Sequence, residues 1–206
     1  MEDTKRTKIV DAATKVFAEK GYHYATMSEI AKEAGMSTGL IYSYFENKLD
    51  ILLSIIRIFW KKINRLNQDK FITIKDPLDK LLVILQNFED LLIKDEKALC
   101  QVKVLNEALP HIFMIKDKRL QEKRYEIILN NKELIDTIDE IITDGQKKGI
   151  FDDSLNPSVL RQVLCGTIER VIYGLFFKTY SGEDIGYDAD DAHKAIVKLI
   201  EKFILK

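Results

Sequence analysis

Residues 26–45 read TMSEIAKEAGMSTGLIYSYF, and the rest of the chain is organised around them. The stretch reads as two short helices joined by a tight turn. Thr26 can cap the first helix while Glu29 reaches back to it, the S/T-x-x-E capping box. Met27, Ile30, Ala31 and Ala34 then fall on one face at helical spacing. Gly35 sits where the helix must stop, since a positive φ costs glycine least. Ser37 can cap a second helix running from Thr38 to about Tyr44. Ile41 and Phe45 point its apolar side inward. Thr38, Gly39, Leu40 and Ser43 are left outside, and all are small or medium-sized. Such a face suits a helix pressed into a DNA major groove, where bulky side chains would hold the backbone off.

The residues Gly21-Tyr22, Thr26, Ile30-Ala31, Ala34-Gly35, Ser37, Gly39, Tyr42, Tyr44-Phe45 and Lys48 stand in one short span. Their order and spacing resemble the DNA-binding motif of the TetR family of bacterial transcriptional regulators. The resemblance implies DNA contacts at Thr26, Ser37, Thr38, Gly39, Leu40, Tyr42, Ser43, Tyr44 and Lys48. Tyr42 and Tyr44 would hydrogen-bond phosphates. Lys48 would neutralise a phosphate, its bland alternative being a solvated lysine. Leu40 departs from the small or hydroxylic residue usual there and could meet a thymine methyl group. The resemblance also implies a homodimer on a palindromic operator, with reading heads about 34 Å apart. An effector in the C-terminal part would shift the fourth helix and reset that spacing. Moving a 1:99 mixture to 99:1 takes roughly 5.5 kcal/mol of effector preference.

Outside the motif the pattern stays helical, so the expected class is all-α. A first helix runs from about Thr4 to Lys20, with Ile9, Ala12, Ala13, Val16 and Phe17 on one stripe. A fourth begins near Lys48 and runs to about Asp69, carrying Leu49, Leu52, Ile55, Ile56, Phe59, Trp60 and Ile63. Asp76-Pro77 and Asn156-Pro157 are cap-then-proline helix starts. Leu78 to Ile93 is apolar almost all round and reads as central. A helix from about Glu96 to Leu109 should stop at Pro110, and another covers about Ile115 to Lys148. Two more span about 157–179 and 188–205. In the resembling family those two pair with their copies, and the stripe Ile196, Leu199, Ile200, Phe203 and Ile204 would need such cover. The expected domains are 1–48, DNA-binding, and 49–206, helical, for ligand binding and dimerisation.

Composition narrows the function classes. The chain has 206 residues, 46% hydrophobic and 32% charged, with a net charge of −1. Residues 1–50 hold seven Lys and Arg against eight Asp and Glu, so any positive face must come from placement. Lys5, Arg6 and Lys8 cluster near the start, where they could reach a DNA backbone or form a loose tail. Cys100 and Cys165 form no CxxC pair, which points to a reduced, cytoplasmic protein. The three histidines are scattered, so no metal site is expected. No signal peptide is expected, because the start is charged and lacks an apolar segment. No nucleophile motif, phosphate loop or dinucleotide fingerprint occurs, so neither an enzyme nor a cofactor is expected. An enzyme or carrier with an incidental helix-turn-helix is the competing class.

The effector is less legible. Trp60, Phe88 and Leu92, with residues of the 115–148 helix, could line a pocket for a long apolar molecule. Phe59, Phe113 and Phe151 are further pocket aromatics. The segment LRQVLCGTIERVI (160–172), after DGQKKGIFDD (144–153), resembles the fatty-acid-responsive branch of the family. That resemblance implies an acyl-coenzyme A. Arg119 and Arg124, with Lys116, Lys118 and Lys123, would meet its phosphates. The rival is a lipophilic cation, which needs buried carboxylates; Glu89, Asp90 and Glu107 are the candidates. Asn106, Glu107 and His111 could also offer polar groups to a ligand.

Overall fold

The computed structural model describes residues 2–114, 121–203 and 205. The described elements are α1 (Glu2–Lys20), α2 (Met27–Ala34), α3 (Thr38–Tyr44), α4 (Lys48–Phe71) and α5 (Pro77–Lys94). They continue with α6 (Glu96–Met114), α7 (Gln121–Lys147), α8 (Pro157–Ser181) and α9 (Ala189–Phe203). Among the described residues the one β pairing is an isolated bridge between Phe151 and Leu205. The all-α expectation therefore holds. No described helix is long and apolar enough to cross a membrane.

Met1–Asn64 and Leu91–Lys132 form one compact unit, and Arg65–Asp90 with Glu133–Lys206 a second. The unit holding the helix-turn-helix thus reaches well past residue 48 and takes in α6. In this unit the stripe on α1 is buried throughout, with Ile9, Ala13 and Phe17 wholly so. Helices α2 and α6 both pack on α1. Lys97, in the first turn of α6, pairs with Asp11 of α1. Ile51, Leu52, Ile55, Ile56 and Phe59 bury the first half of α4.

Pro110 does not end α6, which continues to Met114. A proline inside a helix leaves the carbonyl four residues back unpaired. Here that residue is Asn106, exposed like Pro110 itself, so water can satisfy the freed carbonyl. The basic residues Lys5, Arg6 and Lys8 are no loose tail either, because α1 already begins at Glu2.

In the second unit α5 is less uniformly apolar than its sequence reads, since Asn87 and Glu89 are both buried. Asn87 Nδ2 donates to Asn67 Oδ1 at 2.8 Å and to Leu66 O at 3.2 Å. Glu89 Oε2 lies 2.6 Å from His193 Nδ1, which ties α5 to α9. Burial pushes the Glu89 carboxyl above its ordinary range, and His193 opposes that shift. Phe151, offered above as a pocket aromatic, is fully buried with its ring against Gly145. Asn156 caps α8, accepting from Val159 N at 3.2 Å, and Pro157 takes the first turn. Ile196 and Ile200 of α9 are buried within the chain, whereas Leu199 of the same stripe is 42% exposed. The side chain of Phe203 and the whole of Ile204 lie outside the described residues.

Candidate nucleic-acid interface

Local chemistry shapes the helix-turn-helix. Thr26 Oγ1 accepts from Glu29 N at 3.2 Å and donates to Glu29 Oε2 at 3.0 Å. Glu29 Oε2 also takes Thr26 N–H at 2.9 Å, completing the box. The Glu29 carboxyl is held down to about 2, first by its hydrogen bond to Lys20 and then by Thr26. Met27, Ile30, Ala31 and Ala34 are all buried. Gly35 has φ 64°, a left-handed conformation that lets the chain reverse after one residue. Ser37 Oγ then accepts from Leu40 N at 3.2 Å and starts α3.

Only seven residues long, α3 cannot persist by propensity alone. Ile41, with no exposed surface, and Phe45, 2% exposed, hold it down. The outward face is the one the sequence implies. Gly39 and Ser43 are exposed, Tyr42 is 54% exposed, and Thr38, Leu40 and Tyr44 are half-buried. A Cβ added at Gly39 would meet nothing within 4 Å, so the backbone itself forms the surface there. Ser43 Oγ donates to Leu40 O at 2.7 Å, which spends its proton and keeps it an acceptor. Thr26 and Ser37 spend their side chains as caps, so any contact they make to DNA comes chiefly from the helix N-termini they shape.

Three charged side chains are placed in ways the sequence reading missed. Lys48 is held back against the loop before α2 instead of standing free in solvent. Its Nζ donates to Tyr22 O and His23 O, both at 2.9 Å, and lies 5.1 Å from the Tyr22 ring centroid. Burial lowers its pKa. Arg6 stacks on Phe45, 4.4 Å from the ring centroid, and reaches Tyr44 O and Ser54 Oγ at 3.4 Å each. Glu107 is tied to the head: its Oε1 accepts from Tyr22 N at 3.0 Å. Nothing local marks Glu107, because its partner lies 85 residues back. Two of the head's lysines are also neutralised, Lys15 by Glu33 and Lys20 by Glu29.

Residues 9–55 match the bacterial regulatory proteins of the tetR family, and residues 45–200 match the YsiA-like protein, C-terminal region. The chain belongs to the TetR family. It is a DNA-binding transcriptional regulator, as its N-terminal sequence implies. A fatty acid metabolism regulator protein of Bacillus subtilis is 32% identical over 95% of this chain and 93% of its own. Among solved structures, the fatty acid degradation regulator FadR of Bacillus halodurans is similar with a TM-score of 0.73. It is 28% identical and covers 95% of this chain and 94% of that one. FadR of Bacillus subtilis in complex with stearoyl-CoA gives 0.72 at 28% identity, over 95% and 97%.

The expected effector residues are only partly visible in this TetR-family chain. Trp60, on α4, is half-buried with its ring edge-on to Phe59 at 5.1 Å. On α5, Phe88 is half-buried and Leu92 is buried. Lys116, Lys118 and Arg119 lie outside the described residues, as do the side chains of Lys123, Arg124, His111 and Phe113. The second unit has an apolar groove of about 390 Å³, lined by Leu155, Val159, Leu160, Val163, Leu164, Ile196 and Leu199 with Asn156 and Thr167. Val159 and Val163 in it are 61% and 59% exposed.

Proposed function

We propose that this regulator is a homodimeric repressor that occupies a palindromic operator through α3 and leaves it when a long-chain acyl-coenzyme A binds. The observation that carries the effector is the similarity to a fatty acid metabolism regulator along 95% of the chain. The solved relative bound to stearoyl-CoA agrees with it. Trp60, Phe88 and Leu92 are the described residues proposed for the acyl chain. Arg119 and Arg124 are proposed for the coenzyme phosphates. The carboxylates that a lipophilic cation would need are already engaged. Glu89 faces His193, Glu107 takes the Tyr22 amide, and Asp90 accepts from Gln86 Nε2 at 3.2 Å. That favours the acyl ligand over the cation.

The groove on α8 and α9 is proposed as the dimer surface. Val159, Val163 and Leu199 leave apolar area in water that a second copy would cover. Two half-buried cysteine thiols, Cys100 and Cys165, suit a reducing cytoplasm.

The test is a titration of the operator complex. Stearoyl-CoA should release the DNA at lower concentration than butyryl-CoA, and Arg119→Glu with Arg124→Glu should blunt the response. Release by a lipophilic cation, with stearoyl-CoA inert, would overturn the effector assignment and leave the family intact.

A further inference from the structure

The Gly21–Ala25 loop joins α1 to the capped start of α2. Two of the hydrogen bonds that tie it to other helices meet at Tyr22. Gly21 N still closes a helical bond to Phe17 O at 2.9 Å, but φ of 85° at Gly21 turns the chain out of the helix. The next amide, Tyr22 N–H, therefore loses the carbonyl it would meet in a longer α1. Glu107 Oε1 takes it, from α6. The Tyr22 carbonyl at the other end goes to Lys48 Nζ, from the first residue of α4, which also takes His23 O. A carboxylate at the donor end of the residue and an ammonium at its acceptor end both stabilise its dipoles. The Tyr22 ring adds an edge contact to Phe17 at 5.2 Å.

The seat is cut to fit. A Cβ at Gly21 would stand 2.6 Å from Glu107 Oε1, so glycine is needed for the carboxylate to approach as well as for the positive φ. Further up the same pair of helices, the Lys97–Asp11 ion pair fixes α6 to α1. Ten residues of helix separate the two ties on α6, about 15 Å at 1.5 Å each. The helix is thereby pinned to the head at two points, and only the Glu107 tie bears on the loop that launches α2.

We propose that Glu107 and Lys48 are positioning residues for DNA binding: they grip the Tyr22 residue from α6 and α4 and fix the angle at which α2 and α3 leave α1. Neither needs to touch a phosphate. Glu107 lies far outside the segment that forms the helix-turn-helix, so operator affinity depends on a residue carried by the sixth helix.

The test uses the full chain and a duplex selected by the wild-type protein from a random pool. Glu107→Ala and Lys48→Met should each weaken binding about tenfold, the scale of one hydrogen bond to a charged group. The double variant should lose less than the product of the two, because each frees the same residue. Glu107→Gln keeps an oxygen acceptor for the amide and should recover most of the loss. The slope of log affinity against log salt should not change in any of them. The Tyr22 amide should exchange faster in Glu107→Ala than in Glu107→Gln, a local readout independent of DNA. If alanine at 107 prevents folding, Lys48→Met and Glu107→Gln still carry the comparison. A salt slope flattened by about 0.9 per site in Lys48→Met would mean a phosphate contact and would overturn the proposal for Lys48. Wild-type affinity and wild-type Tyr22 exchange in Glu107→Ala would overturn it for Glu107.

Discussion

Ile41 and Leu40 are neighbours on α3 with opposite surroundings, and alanine at each should separate holding the helix from reading the DNA. Ile41 has no exposed surface and, with Phe45, anchors a helix of seven residues. Ile41→Ala removes three buried carbons, about 2.4 kcal/mol at ~0.8 kcal/mol each. A cavity left behind raises the cost to roughly 3–4 kcal/mol. At 2–4 °C per kcal/mol, a chain of this size should melt roughly 6–16 °C lower. Leu40 is half-buried on the outward face, so Leu40→Ala should change stability by no more than about 0.5 kcal/mol. The assays are thermal melting and repeated selection of bound duplexes from a random pool. Ile41→Ala should select the wild-type sequence with lower affinity. Leu40→Ala should melt like wild type and select an altered one. A shifted preference in Ile41→Ala with an unchanged melting temperature would refute this division of roles.

Other outcomes follow from single features. Tyr42→Phe should weaken binding to all duplexes alike, by roughly 1 kcal/mol in filter-binding titrations, because a phosphate contact carries no sequence information. Val163→Glu with Leu199→Glu should yield monomers in analytical ultracentrifugation, since both side chains face the apolar groove. Wild-type protein that is monomeric at micromolar concentration would remove that surface from the account. The Glu29 carboxyl is lowered in the folded state from 4.5 to about 2. A depressed acid stabilises fully above its unfolded value, so its contribution should be complete above pH 4.5 and fade as pH falls toward 2. Helix content of α2, followed by amide exchange, should show that loss in wild type and not in Glu29→Gln.

The helix-turn-helix was legible because its determinants are local. Thr26, Glu29, Gly35 and Ser37 act within three or four residues, so spacing alone places two caps and a turn. The inward pair Ile41 and Phe45 follows from helical periodicity in the same way. Legibility fails where a partner comes from afar. Lys48 stands at a motif position that implies DNA, yet its hydrogen bonds go back 25 and 26 residues to carbonyls that no pattern marks. Glu107 is one of two acids on α6, and nothing marks it until α6 is seen to pack on α1. Arg6 looked like part of a basic tail because nothing in the sequence shows Phe45 lying beneath it. Pro110 was read by its usual effect, which is muted where the residue four back, Asn106, is exposed to water. Phe151 was read as pocket lining, but Gly145 makes room to bury it completely.

The dimeric, operator-reading account is tested most directly by selecting bound sequences from random duplex DNA with the wild-type chain. Two identical α3 helices should enrich an inverted repeat whose half-sites lie about 10 base pairs apart, bound less tightly as salt rises. Enrichment of a single unsymmetric site, or none beyond salt-sensitive non-specific binding, would contradict it.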